Sequence, residues 1–358
     1  MRKAFTLIEV VVALGILAMI LSFAGVIFRV SIESQRLAMA NAEILQKLRV
    51  ITGQLDSDLR GLRKDGEMLV FWRAMRKPNY TPPSVNHPSA FERFDTIMFF
   101  ASGDFYSYNV NPPVRGNTAR ICYTLANFPG GPGTEPNRPQ AQKPQKRVLA
   151  RTQHILLPPP NSIDPNDPLG TLKFSDSQWR DWNSIQQSDG ISLRGWQLMS
   201  DAVKADVISV IGDVKVGSDT GLGGSEKNKT VGGVILDRTR PDSLPALLCD
   251  GVGQFEVQGW NDAERRWMPE VDPNGNGVLS DDSDFILEGE DLNPSLIPGI
   301  RYPDGPFVMR TFTAARTNAE FRDIPGLGRA MKFTFTLYDS RGLIPKGRTF
   351  THIVYLDD

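Results

Sequence analysis

One stretch of acidic and amide side chains has the spacing of a cation-binding loop. In DPNGNGVLSDDSD an aspartate and two asparagines stand at the first, third and fifth positions and Gly277 at the sixth, as in an EF-hand-type calcium loop. The twelfth position holds Ser283 where such loops have a bidentate glutamate. Two interpretations stay open, a calcium site or a solvated acidic turn. The oxygen ligands of a calcium site would come from Asp272, Asn274, Asn276, Asp281, Asp282 and Asp284.

Residue types that serve in catalysis are sparse. The histidines are His87, His154 and His352, and none belongs to an H-E-x-x-H pair. Segment 223–230 has part of the P-loop pattern, but Asn228 stands where the second glycine is needed. No G-x-S-x-G nucleophile elbow occurs. The sequence therefore predicts a protein that is not an enzyme.

Two cysteines are the remaining reactive side chains. Cys122 lies in a predicted strand, and Cys249 precedes another. An oxidising compartment would permit a disulfide between them, but only if their Cα atoms come within about 7 Å. A disulfide and a pair of buried thiols both remain open.

A single carboxylate stands inside the apolar N-terminal run. Arg2 and Lys3 precede this run, and residues 10–28 carry no charge, which is close to the ~20 residues that a helix needs to cross a membrane. The helical pattern continues beyond Arg29, so we expect the apolar part to be retained and not removed with a signal peptide. Glu9 near the start of the run costs about 3 kcal/mol in hydrocarbon unless it finds a partner. A plain membrane anchor has no need of such a residue.

The string A-FTLIEV, followed by an apolar helix, resembles the N-terminus of type IV pilins and of the pseudopilins of type II secretion systems. The resemblance implies that a prepilin peptidase cuts between Ala4 and Phe5 and that Phe5 is then N-methylated. The family usually has glycine before the cut, where this chain has Ala4. Glu9 matches the glutamate at the fifth position of the mature chain, whose charge is thought to meet the N-terminal amine of a neighbouring subunit. Ala4 and Phe5 are therefore expected to serve in processing, and Glu9 in assembly.

Length and composition limit the rest of the chain. With 358 residues and 40% hydrophobic content, it can bury a substantial core. Its 26 prolines and 32 glycines indicate many turns and favour a β-rich body with long loops. The formal net charge of -1 gives no reason to expect a nucleic acid as partner.

The helical pattern extends well past the membrane segment. Its apolar residues recur at steps of three, four or seven and so form one stripe, which we expect to pack on a sheet of the protein's own head, with a coiled coil as the alternative. Gly61 is a plausible stop, which gives a helix of roughly 55 residues, or ~80 Å. The stripe consists of Leu37, Ile44, Leu48, Ile51, Leu55, Leu59 and Leu62.

The remaining sequence predicts strands separated by three insertions. Aromatic and branched residues between turn formers predict strands near 94–100, 104–110, 120–126, 146–152, 205–216, 253–260, 329–339 and 350–356. The alternation of Phe333, Phe335 and Leu337 with threonines predicts a strand with one buried face. Loop insertions are expected near 128–168, 218–233 and 261–305. The predicted fold is α+β and pilin-like, with a long N-terminal helix packed on an antiparallel sheet.

The predicted organisation has three parts. Residues 1–4 form a leader, residues 5–62 form the helix, and residues 63–358 form a periplasmic head. Within the helix, residues 5–28 are expected in the membrane and residues 29–62 on the head.

The order of the head segments resembles the J-type minor pseudopilins of type II secretion. The similar pieces are RICYTLA, VLART, LLCDGVGQFEVQGWNDAERRWMP, LGRAMKFTFTLYDSRG and RTFTHIVYL, together with the helix end LQKLRVITGQLDSDLRGL. This implies a structural subunit at the tip of a pseudopilus. Its partners would be the prepilin peptidase, I- and K-type minor pseudopilins, the major pseudopilin and the inner-membrane assembly platform. It would be single-pass in the bacterial inner membrane, with a cytoplasmic N-terminus.

Two other functions share the same anchor. One is a minor pilin of a type IV pilus, used in adhesion or DNA uptake. The other is a membrane-tethered periplasmic ligand-binding domain. Mutation of Glu9 distinguishes the tethered ligand-binding domain from an assembling subunit, because a membrane anchor alone tolerates the loss of Glu9.

Overall fold

The structure is a computed structural model that describes part of the chain. The described residues are 7–66, 68–71, 73–76, 91–106, 115–127, 143–156, 188–189, 193, 197, 234–235, 246–261, 265–268, 286–287, 309–314, 319–324 and 327–356. The predicted leader, the calcium loop, the segment 218–233 and the predicted strand 205–216 all lie outside them, as does most of the other two insertions.

The helix and strands follow one another in a simple order. Within the described residues a long helix, α1, comes first and is followed by strands. The elements are α1 Leu7–Arg60, β1 Met68–Phe71, β2 Arg73–Arg76, β3 Phe91–Arg93, β4 Thr96–Tyr106, β5 Arg115–Asn127, β6 Val148–Leu156, β7 Ser188–Asp189, β8 Val234–Ile235, β9 Leu247–Asp250, β10 Val252–Asn261, β11 Arg266–Met268, β12 Ile286–Leu287, β13 Met309–Ala314, β14 Ala319–Ile324, β15 Leu327–Leu337 and β16 Arg348–Tyr355.

The strands form three sheets within the described residues. The largest has the order β14-β13-β1-β4-β5-β6-β7, with β8 also pairing with β5 and β9 with β6. Its central pairs β1–β4, β4–β5 and β5–β6 are antiparallel. A second sheet, β11-β10-β15-β16, is antiparallel throughout, and β12-β2-β3 forms a small third one. The predicted α+β fold, with one long apolar N-terminal helix and antiparallel sheets, is confirmed.

One core joins α1 to the two larger sheets. Ile44, Ile51 and Leu55 of α1 are fully buried in it. The largest sheet contributes residues such as Ile97 and Ile121 to the same cluster, and the β10–β15 pair contributes Phe255, Val257, Phe333, Phe335 and Leu337. The helix therefore gains its tertiary stability from burial of one stripe, as the apolar spacing predicts.

The packed part of α1 is shorter than expected. Residues 29–39 are exposed, and Leu37, predicted in the stripe, is 48% exposed. Contact with the head begins at Ala40, which is 3% exposed. The spacing of apolar residues identifies a stripe but cannot show where the head begins to cover it.

The helix ends where the sequence predicts a stop. α1 ends at Arg60, and Gly61 lies against β4, where its carbonyl accepts a hydrogen bond from the Ser102 backbone N–H at 2.6 Å. A Cβ atom on Gly61 would overlap the Ser102 carbonyl oxygen. Glycine is needed here because the two backbones approach so closely.

Most predicted strands are confirmed, with shifted bounds. The alternation in β15 has its expected result, since Phe333, Phe335 and Leu337 are fully buried. The strand predicted at 94–100 and the described start of the one predicted at 104–110 belong to the single strand β4, with a register shift between Ser102 and Phe105, whereas residues 107–110 lie outside the described residues. The irregularity is a bulge within one strand rather than a turn between two.

Candidate assembly site

The first half of α1 is an uncovered apolar surface. From Leu7 to Met39 the helix is exposed apart from Ala24, with Ile8 at 74% and Phe28 at 68%. This helix is long and apolar enough to cross a membrane. An apolar surface of this size is stable in lipid or against other apolar helices, but not in water.

Glu9 lies in the first turn of this apolar helix and is exposed. A carboxylate at the start of a helix interacts favourably with the N-terminal end of the helix dipole. A carboxylate in lipid requires a cationic or hydrogen-bonding partner. Ala4 and Phe5, the predicted cleavage residues, lie outside the described residues.

A buried ionic cluster fixes the other end of α1 to the head. Asp58 is 5% exposed and accepts hydrogen bonds from Arg151 Nε at 2.6 Å and Arg151 Nη2 at 2.7 Å. The Tyr123 hydroxyl donates to Asp58 Oδ2 at 2.5 Å, and Gln54 Nε2 donates to Oδ1 at 3.0 Å. We call Gln54, Asp58, Tyr123 and Arg151 the Asp58 cluster. It joins the helix to β5 and β6 with the bidentate geometry that guanidinium and carboxylate prefer.

The pKa values in the Asp58 cluster follow from its burial. Burial first, and the Asp58 charge second, raise the pKa of the Tyr123 hydroxyl well above its usual value. Burial alone would lower the pKa of Arg151, but its hydrogen bonds to Asp58 and the charge of that carboxylate raise it. The phenol therefore stays neutral and the guanidinium charged near neutral pH, so the cluster keeps its donors.

A second polar cluster lies where α1 enters the head. Lys47 Nζ contacts Glu43 Oε1 at 2.9 Å and Asp250 Oδ1 at 3.1 Å, and donates to the Tyr338 carbonyl at 3.0 Å. Glu43 also accepts hydrogen bonds from the Ser340 backbone N–H at 2.9 Å and its hydroxyl at 3.1 Å. We call Glu43, Lys47, Asp250 and Ser340 the Lys47 cluster. It ties the β15–β16 turn and the end of β9 to the helix.

The two clusters fix the helix to the head at both ends of the packed segment. Between them, the stripe contributes the fully buried Ile51 and the partly buried Leu48 to the core. The head cannot slide along or rotate about α1 without breaking the buried Asp58–Arg151 ion pair and the half-exposed Lys47–Asp250 pair. A movement of α1 would therefore be passed directly to the head. The contacts that join them involve no reacting group.

The two cysteines are not bridged. Both are buried free thiols, so of the two open alternatives the structure contains the second. Cys249 belongs to the core that faces α1, together with Ile121 and Tyr123. Cys122 lies between those two residues on β5, so its side chain points to the opposite face of the sheet. Burial raises the pKa of the Cys249 thiol to about 12, which keeps it unreactive at neutral pH.

The other candidate residues do not form a site within the described part of the chain. His154 is a buried β6 residue that pairs in register with Arg120. His352 lies on β16, with its Nε2 2.7 Å from Asp56 Oδ1 on α1. The described residues hold no group of three or more potential metal ligands. His87, segment 223–230 and the calcium candidates Asp272, Asn274, Asn276, Asp281, Asp282 and Asp284 lie outside those residues.

Asp58 was missed as a site residue, although the sequence carries a signal for it. It falls at the heptad spacing of the stripe, seven residues after Ile51 and fourteen after Ile44. A carboxylate in register with buried apolar residues must find a partner inside the head. The identity of that partner, Arg151, depends on the pairing of β5 with β6 and not on sequence distance.

Comparison with known proteins gives one match. A family described as Prokaryotic N-terminal methylation motif matches residues 1–25. No curated protein and no solved structure gives a significant match. The matched motif supports a type IV pilin-like protein or pseudopilin, and it implies processing by a prepilin peptidase and assembly into pilus-like filaments.

Proposed function

We propose that this chain is a minor pseudopilin of a type II secretion system. It is a structural subunit at or near the pseudopilus tip, and it helps to start assembly and protein export. The order of its head segments, which resembles the J-type minor pseudopilins, supports this choice. The role needs no catalytic residue. The matching partners are the I- and K-type minor pseudopilins, the major pseudopilin and the inner-membrane platform.

Processing precedes assembly in this proposal. Arg2 and Lys3 keep the leader in the cytoplasm, as the positive-inside rule predicts, and the head is periplasmic. The prepilin peptidase cuts between Ala4 and Phe5, and Phe5 becomes the methylated N-terminus. The new amine is a cation, and it lies close in sequence to Glu9.

The observation that carries the proposal is Glu9 on an otherwise apolar and uncovered helix. Residues 10–28 are uncharged, whereas Glu9 is a carboxylate that a plain anchor would not contain. In a bundle of such helices, the N-terminal amine of a neighbour pairs with Glu9 and offsets the cost of its burial. The apolar surface of α1 can leave lipid for this bundle because both surroundings are apolar.

The test uses the full chain in cells that assemble pseudopili. Glu9→Ala and Glu9→Gln remove the charge from the membrane segment, and Glu33→Ala removes an exposed carboxylate that pairs with Arg29 on the same helix. Both variants leave the N-terminal amine of the neighbouring subunit without its partner in the bundle. Since an unpaired intramembrane charge costs about 3 kcal/mol, we expect both Glu9 variants to enter filaments at least about tenfold less often. Glu33→Ala is expected to enter normally.

The outcomes separate the three functions. Loss of both incorporation and export on Glu9→Ala supports the pseudopilin. Loss of a type IV pilus with normal export indicates a minor pilin instead. Normal incorporation of Glu9→Ala would contradict the assembly role of Glu9. Membrane retention of both the wild-type and the Glu9→Ala chains, with neither found in filaments, would leave only a tethered ligand-binding domain.

A further inference from the structure

The outermost strand of the second sheet presents a long, regular edge. β16 pairs with β15 without a register shift, from Ala330↔Tyr355 to Leu337↔Arg348. Within the described residues β16 is the last strand of the order β11-β10-β15-β16. Its eight residues extend about 26 Å, which is long enough to template another strand.

The β16 edge lacks proline, lysine and bulges, three of the features that usually protect an edge strand. Natural proteins block exposed edges with proline, lysine, bulges or inward-pointing charges. The strand RTFTHIVY has no proline or lysine, and its one arginine is at the first position. Its outer face is exposed and rich in β-formers, with Ile353 at 39% and Tyr355 at 72% exposure. Strand addition on such an edge is favourable.

The edge lies next to the helix that carries assembly. Phe350 and Val354 pack on the core that contains α1. His352, between them, contacts Asp56 of α1 at 2.7 Å. The exposed surface of α1 and the edge of β16 are therefore neighbours. A subunit that packs along α1 is brought close to this edge.

The membrane rules out one simple arrangement. Two copies that paired β16 with β16 in antiparallel fashion would be related by a twofold axis perpendicular to the sheet. Because α1 lies against the face of this sheet, that axis would reverse α1 in the second copy. Two helices that enter the same membrane from the same side must run in the same direction. An antiparallel pair of two β16 edges is therefore excluded within one filament.

We propose that the outer edge of β16 binds an extended segment from the head of a neighbouring pilin-like subunit in the same filament. The segment adds as a further strand, and its backbone hydrogen bonds supply the affinity. The inference rests on the proposed function, since it requires that subunits assemble through α1. It adds a second contact that acts between heads and selects the partner.

Cross-linking on the full chain tests this proposal. Cys122 and Cys249 are buried, so a cysteine introduced at an exposed position is selectively labelled with a benzophenone maleimide. Thr351→Cys reports on the edge, and Val50→Cys, on the exposed side of α1, reports on assembly. Asn117→Cys, exposed on β5, is the control away from both surfaces. Glu9→Ala is combined with each variant.

The outcomes keep the two proposals apart. We expect Val50→Cys and Thr351→Cys to cross-link to pilin-like subunits, Asn117→Cys to give no product, and Glu9→Ala to abolish both products. A product from Val50→Cys but none from Thr351→Cys overturns the edge contact and leaves the proposed function in place. Absence of both products overturns both proposals. A product of Thr351→Cys with an exported protein overturns the assignment to a subunit.

A charge on the edge gives an independent measurement. Thr351 and Thr334 face each other in register, but Thr351 is on the edge strand and Thr334 is on the interior strand β15. Thr351→Lys is expected to lower incorporation at least about tenfold, because lysine on an edge prevents strand addition. Thr334→Lys is expected to leave it unchanged. Equal incorporation of the Thr351→Lys and Thr334→Lys variants, with unchanged melting temperatures, would contradict the proposal.

Discussion

Asp58 on α1 and Arg151 on β6 are joined by two hydrogen bonds of 2.6 and 2.7 Å inside the head. The residues are far apart in the sequence, and both side chains are largely buried, at 4% and 15% exposure. Buried ion pairs contribute little net stability, but loss of one partner leaves a charge without compensation. The pair therefore specifies where the helix sits on the head.

Removal of Asp58 should strongly destabilise the head. We expect Asp58→Ala to lower the free energy of unfolding by about 3–5 kcal/mol, because Arg151 would remain charged and buried. Asp56→Ala is the matched control on the same helix. The Asp56 side chain is 45% exposed, so its loss should cost less than about 1 kcal/mol. Chemical denaturation in detergent measures both values, and equal losses would contradict the assigned role of Asp58.

Two glycines of the same region should respond in opposite ways to alanine. Gly61→Ala places a methyl group against the Ser102 carbonyl and should cost about 2 kcal/mol or more. Gly53 has open space around its Cβ position within the helix, so Gly53→Ala should stabilise by about 0.5–1 kcal/mol. Melting curves of the two variants give the comparison. A stable Gly61→Ala protein would show that the helix end does not need this close contact.

Acid should weaken the Lys47 cluster. Burial alone would raise the pKa of Glu43, but hydrogen bonds from Lys47 and Ser340 outweigh it and lower the pKa below 4.5. A lowered folded-state pKa means that the stabilisation is complete above the unfolded value and is lost as the pH falls through the folded one. We therefore expect the melting temperature to fall below about pH 4.5, and to fall less steeply in Glu43→Gln.

The control for the acid effect is Glu33→Gln, whose carboxylate lies on the exposed part of α1. Its pH profile should match that of the unsubstituted chain. An identical profile for Glu43→Gln would show that the Lys47 cluster does not contribute to acid stability.

The features that depend on local periodicity were predictable from the sequence. The buried stripe of α1 and the alternation of Phe333, Phe335 and Leu337 follow from spacing alone. The stop at Gly61 was likewise visible as a poor helix residue. Such signals need no knowledge of which elements meet.

The features that depend on tertiary placement were not predictable. The buried part of the helix begins at Ala40, and Glu43 and Lys47 just beyond it contact the β15–β16 turn and β9, a placement that no local pattern records. Whether Cys122 and Cys249 could form a disulfide depended on the order of the strands and on which face of the sheet each side chain occupies. The two side chains lie on opposite faces. Asp58 had a recognisable spacing, but its partner Arg151 came from the pairing of two distant strands.

The most direct measurement of the central claim is the intact mass of the mature chain. If the proposed cleavage between Ala4 and Phe5 is correct, we expect in wild-type cells a protein that lacks residues 1–4 and begins at N-methylated Phe5. Cells without prepilin peptidase should retain Met1, and Ala4→Gly should be processed at least as fully as the wild-type chain. A wild-type chain that keeps Met1 while the Ala4→Gly chain is also uncut would contradict the pilin-like account.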